Sequence, residues 1–316
     1  MAPSEDQMSH SNEVQGVGVI GLGAMGRGTA MALHESQLDV VGCDIVDEAR
    51  LAFEREGGKC VASPVELAHC NVIVVLVVNA DQVETVLFGE QGVAPCLAEG
   101  SLVIQCATVA PAFARDLNAR LEAMGLAMLD APVSGGAAKA RRGELSVMAS
   151  GTPGAFSQAE PVLDAMAATV YRLGDAAGVG SSMKLVNQLL AGVHIATAAE
   201  AMALGLRMGL DPQTIYDVIT HSAGNSWMFE NRVPHILKGD YSPLSAVDIF
   251  VKDLNLVHET GRELAISTPV AASALQQFTA AKGAGFGRED DSAVIKVYQR
   301  LSGITLPDAA NDSGGV

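Results

Sequence analysis

Val17-Gly18-Val19-Ile20-Gly21-Leu22-Gly23-Ala24-Met25-Gly26-Arg27-Gly28-Thr29-Ala30-Met31-Ala32-Leu33 is the stretch that decides the fold. Four residues read as a short apolar strand, glycines follow at the spacing G-x-G-x-x-G, and an alanine-rich helix opens behind them. The first glycine permits a tight turn, the second lets the backbone approach a pyrophosphate, and the third lets the helix pack closely on the strand. The start of that helix offers unpaired N–H groups and partial positive charge to phosphates. Asp44 stands 18 residues beyond Gly26, at the end of the next strand candidate. Read as a ligand residue, its carboxylate accepts hydrogen bonds from the adenosine ribose and repels a 2′-phosphate; read blandly, it is a turn residue before a helix. The pattern predicts a cofactor site at Gly21, Leu22, Gly23, Ala24, Met25, Gly26 and Asp44, with NAD favoured over NADP. The nearest following arginine, Arg50, falls within the next helix.

Outward from this stretch, short apolar runs alternate with amphipathic ones as far as about residue 175, the pattern of a parallel sheet. Strands are expected at Leu38–Cys43, Val72–Val78, Leu102–Ile104, Leu126–Leu129 and Leu145–Ala149. Val78 and Asn79 then approach the adenosine half of the cofactor, and Thr108 lies at the carboxyl edge of the sheet, where cofactors sit in such folds. Ser63-Pro64-Val65-Glu66 is a capping box that starts a short helix, and Pro111 and Pro153 open two more. Beyond Gly180 long Ala, Leu and Met segments predict an all-helical region led by one helix over 181–209. Further helix starts are expected at Asp211-Pro212, Ser226, Ser245 and Thr268-Pro269. The expected class is α/β: a Rossmann-like, doubly wound, mainly parallel sheet followed by an all-α C-terminal domain. The expected limits are 14–177 for the NAD-binding domain and 178–304 for the helical substrate and oligomerisation domain, with flexible ends at 1–13 and 305–316.

The chain has 316 residues, and 20 Lys+Arg against 36 Asp+Glu give a net charge of −16. Such a field repels phosphate backbones and anionic membranes, so neither nucleic acid nor membrane is an expected partner. The five cysteines include no CxxC pair, residues 1–13 hold no apolar signal core, and the longest aliphatic run, Val72–Val78, falls short of a membrane span. A cytoplasmic location follows as the expectation. No cluster of His, Cys and carboxylate has metal-ligand spacing, so no metal is expected. Residues 185–206 are apolar on more sides than one small domain covers, which predicts a homo-oligomer, a dimer or tetramer.

Two polar groups point to chemistry. Lys184 sits among Met183, Leu185, Val186, Leu189 and Leu190, with Asn187 and Gln188 on the same helix face. An ammonium in an apolar setting gives up its proton more readily than one in water, so this lysine is a candidate general acid/base; the alternative is a lysine snorkelling at a helix end. Ser134-Gly135-Gly136 follows a strand candidate and can turn N–H groups inward as a cradle for a carboxylate, or form a plain glycine turn. Asn187 and Gln188 are candidates to hold substrate hydroxyls.

Four blocks in order carry a family resemblance: Gly21 to Gly26, Asp130-Ala131-Pro132-Val133-Ser134-Gly135-Gly136, Gly180-Ser181-Ser182-Met183-Lys184-Leu185-Val186-Asn187-Gln188, and Lys252-Asp253-Leu254. Over about residues 15–303 the sequence resembles the β-hydroxyacid dehydrogenases, relatives of 3-hydroxyisobutyrate dehydrogenase and tartronate semialdehyde reductase. The resemblance implies oxidation of a small hydroxy acid with NAD in a cleft between the two domains. It implies Lys184 as the catalytic residue, Ser134 to Gly136 as the substrate loop, and Lys252 near the nicotinamide. Residues 224–232 and 247–253 are most similar to the L-threonate dehydrogenase subgroup. Two departures stand out: Gln105-Cys106-Ala107-Thr108 where many members have Asp-x-Ser-Thr, and Asn187-Gln188 where many have Asn-Asn. The alternatives are a 3-hydroxyisobutyrate or tartronate semialdehyde type of activity, or a noncatalytic nucleotide-binding module.

Overall fold

The computed structural model describes residues 16–307; the ends expected to be flexible, 1–13 and most of 305–316, lie outside that range. Within-chain contacts divide the protein into two compact units, one reaching Lys184 and one starting at Leu185.

The first unit is built on strands β1 (Val17–Ile20), β2 (Val40–Cys43), β3 (Lys59–Val61), β4 (Val72–Val75), β5 (Leu102–Gln105) and β6 (Ala127–Asp130). They form one sheet in the order β3-β2-β1-β4-β5-β6, every pair parallel. Helices α1 (Ala24–Glu35), α2 (Asp47–Arg55), α3 (Ala80–Phe88) and α4 (Pro111–Glu122) make the crossovers. Alternate strand residues feed two cores: Val17, Val19, Val72, Val74, Leu102 and Ile104 pack on one face, and Ile20, Ile73, Val75 and Val103 on the other. Burial on both faces is why these strands are continuous aliphatic runs. Strand order reverses between β1 and β4, and that switch point is where doubly wound sheets open a crevice for ligands.

A second sheet, β7 (Val133–Ser134), β8 (Leu145–Ala149) and β9 (Ala167–Arg172), completes this unit with α5 (Gly136–Arg141) and α6 (Pro153–Met166). β7 is antiparallel to β8, and β8 parallel to β9. The Val72–Val78 run leaves the sheet at Val75, because its partner β1 ends at Ile20. β2 likewise starts at Val40, two residues after the expected Leu38.

From α7 (Val179–Arg207) onward every regular element is helical: α8 (Pro212–Thr220), α9 (Trp227–Lys238), α10 (Val247–Glu263), α11 (Pro269–Ala281) and α12 (Ile295–Ser302). Asp211 and Ser226 accept backbone N–H groups of α8 and α9 as N-caps. Ala246 rather than Ser245 caps α10. The Leu185–Leu306 core gathers Ile195, Met202, Phe229, Val233, Phe250, Leu254 and Phe278. By length and apolar composition α7 alone among the described helices suffices to cross a membrane, yet half of that stretch is buried in the fold, as in the core helix of a globular domain.

Candidate active site

Gly21 leaves β1 at φ +94°, donates its N–H to Cys43 O at 2.8 Å, and brings its backbone against Leu76 of the β4 loop. A Cβ on Gly21 would lie 2.7 Å from Leu76 O, and one on Gly26 only 1.7 Å from Gly21 O. Gly23, the N-cap of α1, has no atom within 4 Å of its Cβ position, and no side chain caps the helix. The first and third glycines thus answer to protein atoms, the second to open space before an uncapped helix N-terminus. That is the cradle a pyrophosphate fills, and the residues present fit a dinucleotide.

Asp44 joins this loop to β2. Its Oδ2 accepts the N–H of Leu22 at 2.7 Å and its Oδ1 that of Val46 at 2.9 Å. Arg50, distant in the sequence reading, folds back: one arm donates to Asp44 O at 2.6 Å and another pairs with Asp47. Asn79 caps α3 by accepting the N–H of Gln82 at 2.9 Å, and the N–H of Val78 donates to Gln82 Oε1 at 2.8 Å. Thr108 stands half-buried beyond β5. The preceding turn is bracketed by Gln105, which accepts from Ala107 N at 2.6 Å and donates to Ala107 O at 2.9 Å.

Lys184 lies in the second turn of α7, 7% exposed, its Nζ donating to Val133 O at 2.8 Å, one residue before Ser134. The helix start that aims it is tied to Asp130, the last residue of β6. Asp130 Oδ2 accepts the N–H groups of Gly178 at 2.8 Å and Ser181 at 2.9 Å, and Oδ1 accepts the Ser181 hydroxyl at 2.7 Å. Ser150 Oγ donates to the same carboxylate at 3.4 Å and accepts the N–H of Gly180 at 2.9 Å. A Cβ on Gly180 would lie 2.3 Å from Met148 O, so only glycine lets the helix sit this close. Burial pushes the Asp130 carboxyl upward in pKa while these hydrogen bonds pull it back. Ser134 ends β7, and Gly135 and Gly136 follow at φ +142° and +77°, conformations that favour glycine.

Further along α7, Asn187 Nδ2 donates to Gln188 Oε1 at 2.9 Å, and Gln188 Nε2 donates to Asp253 Oδ2. Lys252 Nζ lies 2.6 Å from Asp253 Oδ1. Among the described residues no group of three His, Cys, Asp or Glu is arranged to hold a metal.

Residues 16–174 match the family model for the NAD binding domain of 6-phosphogluconate dehydrogenase. Residues 178–298 match the NAD-binding domain of NADP-dependent 3-hydroxyisobutyrate dehydrogenase. The chain is 59% identical to the L-threonate dehydrogenase of Cupriavidus necator over 295 residues, 93% of this chain and 98% of that protein. The chain belongs to the β-hydroxyacid dehydrogenase family. It is 51% identical to the L-threonate dehydrogenase of Escherichia coli K12, over 93% of this chain and 97% of that one. A Salmonella typhimurium structure described as 3-hydroxyisobutyrate dehydrogenase aligns with a TM-score of 0.85 at 52% identity, covering 89% of this chain and 99% of that one. Membership makes the chain a hydroxyacid dehydrogenase with the nicotinamide dinucleotide NAD as its cofactor.

Against that family background, the structure adds residues to which sequence reasoning gave no role. Asp130, Ser150, Ser181 and Asp253 all fall inside or beside strand and motif blocks, but their hydrogen-bond partners lie 20 to 65 residues away. The only signal was an acid closing an otherwise apolar strand at Asp130 and a second acid beside Lys252.

Proposed function

We propose that the chain oxidises L-threonate at its C2 hydroxyl to the 2-oxo acid, with Lys184 as general acid/base. The observation that carries this substrate is the 59% identity to an L-threonate dehydrogenase over nearly the whole of both chains. When bound, NAD supplies the ring that accepts hydride from the substrate carbon. The backbone N–H groups at Ser134, Gly135 and Gly136 hold the carboxylate. Lys184 Nζ takes the hydroxyl proton as hydride leaves, and returns it to the carbonyl oxygen in the reverse direction. Asn187 holds a further hydroxyl, directly or with Gln188. Gly21 to Gly26 receive the pyrophosphate and Asp44 the adenosine ribose, its negative charge disfavouring NADP. Val78 and Asn79 border the adenosine half, Thr108 borders the cofactor at the carboxyl edge of the sheet, and Lys252 the nicotinamide.

The domain limits that go with this reading are 14–177 for the NAD-binding domain and 178–304 for the helical substrate domain. The protein acts in the cytoplasm as a homo-oligomer. Five free cysteines suit a reducing compartment, and exposed Met183, Val186, Leu190 and Leu204 leave α7 an apolar stripe suited to a second copy. A monomer mass in light scattering would remove the oligomer.

The second reading, 3-hydroxyisobutyrate oxidation, is favoured by the description of the Salmonella structure. A screen of NADH formation over three- and four-carbon hydroxy acids, both enantiomers included, separates the two. L-threonate is expected to exceed 3-hydroxyisobutyrate in kcat/KM, and the reverse order overturns the proposal.

A further inference from the structure

Hydrogen-bond polarity runs in one direction along Asp253, Gln188 and Asn187. An ionised carboxylate only accepts, so Gln188 must turn its nitrogen toward Asp253 Oδ2. Asp253 is 1% exposed, and its other oxygen faces the Lys252 ammonium at 2.6 Å. With its nitrogen committed, Gln188 offers Oε1 to the neighbouring side chain, and Asn187 meets it with Nδ2 at 2.9 Å. The second amide is thereby oriented as well, and Oδ1 of Asn187 becomes the end of the chain. An amide with no such neighbour takes either orientation, as donor or acceptor.

We infer that Gln188 is a positioning residue that fixes Asn187 as a hydrogen-bond acceptor, and that this acceptor selects hydroxy acids carrying a further hydroxyl. A hydroxyl there donates to Oδ1, whereas a methyl leaves a desolvated oxygen without a partner. The longer glutamine, in place of the second asparagine common in the family, spans the distance to Asp253. The inference rests on the reading of this helix face as the substrate site and deepens it.

The test compares the unaltered full-length enzyme with Gln188→Leu and Asp253→Asn. The substrates are the hydroxy acid it turns over best and an analogue in which a non-reacting hydroxyl is replaced by hydrogen. The kcat/KM ratio of the two acids is expected to fall at least ~10-fold in both variants, with the NAD dissociation constant unchanged in Gln188→Leu. Asp253→Asn removes the acceptor that orients Gln188 and also loosens Lys252, so the ratio of the two acids, which a change in cofactor binding shared by both does not move, is its readout. An unchanged ratio in Asp253→Asn, or an equal loss for both acids in Gln188→Leu, overturns the inference and makes Gln188 an ordinary contact or packing residue. If Asp253→Asn fails to fold, Gln188→Asn replaces it: the shorter amide does not reach Asp253, so the ratio must fall, and a kept ratio overturns the inference. A preference of the unaltered enzyme for 3-hydroxyisobutyrate over L-threonate sinks the substrate proposal instead, and the ratio on the preferred acid still judges the relay.

Discussion

The nucleotide loop and the start of α7 place function by opposite means. At Gly21 to Gly26 the chain makes room by leaving side chains out: two glycines avoid backbone oxygens and the third faces empty space. At Gly178 to Lys184 it makes contacts: a buried carboxylate and a serine gather the first N–H groups of the helix, and the lysine is carried on the anchored turn. The first device depends on spacing along the chain, the second on side chains brought together from distant segments. The loop depends on what its glycines lack, whereas the lysine depends on Asp130 and Ser150, residues far from it in the chain.

That contrast breaks first at Lys184. Lys184→Ala is expected to bind NAD nearly normally, by fluorescence titration, yet lose at least ~100-fold in kcat. Lys184→Arg should fail as well, because a guanidinium keeps its proton. An arginine variant that retained most of kcat would move proton transfer to another group. The next effect belongs to Asp130. Asp130→Ala leaves two buried N–H groups and a hydroxyl without their acceptor, at an expected cost on the order of 3 kcal/mol in urea unfolding, together with lost turnover. Stability within about 0.5 kcal/mol of the unaltered protein would show that the helix start holds without it.

The glycines sharpen the other side. Gly21→Ala forces a side chain into a positive-φ residue against Leu76 O, and should destabilise by about 1–3 kcal/mol. Gly23→Ala meets no protein atom, so its melting temperature should stay put while NAD binding weakens. Equal loss of stability in the two variants would refute the division of labour among the glycines. The smallest effect is at Asp44, where Asp44→Ala should narrow the gap between NAD and NADP mainly by weakening NAD. Equal kcat/KM with both cofactors in the unaltered enzyme would remove that assignment.

The sequence carried the glycine loop, the parallel sheet and most helix starts because each depends on neighbours within a few residues. Pro111, Pro153, Asp211 and Ser226 mark their helices through local backbone chemistry. β3 and β9 went unread for a physical reason: β3 is only three residues long and half-exposed, and β9 is a largely exposed edge strand joined directly to α6, so neither has the aliphatic run of a buried strand. At the site, sequence separation set the limit. Lys184 and Asp130 were both in quoted motifs, yet nothing local says that they share one helix start. Arg50 was set aside as a residue of the next helix, and α2 carries it back to the Asp44 carbonyl.

Asp130 reaches across 48 to 51 residues of chain to the start of α7, whereas Leu22 finds Asp44 across 22. Closing a loop of about 50 residues costs roughly 3–4 kcal/mol of chain entropy by the logarithmic rule, and the anchoring bonds form only once β6 and β8 are in place. The Gly21 turn, however, packs against Leu76 about 55 residues away, so its closure costs much the same. In a refolding experiment affinity for the dinucleotide and turnover should therefore return together, as two ends of one event in which β1, β4, β6 and the first turn of α7 dock.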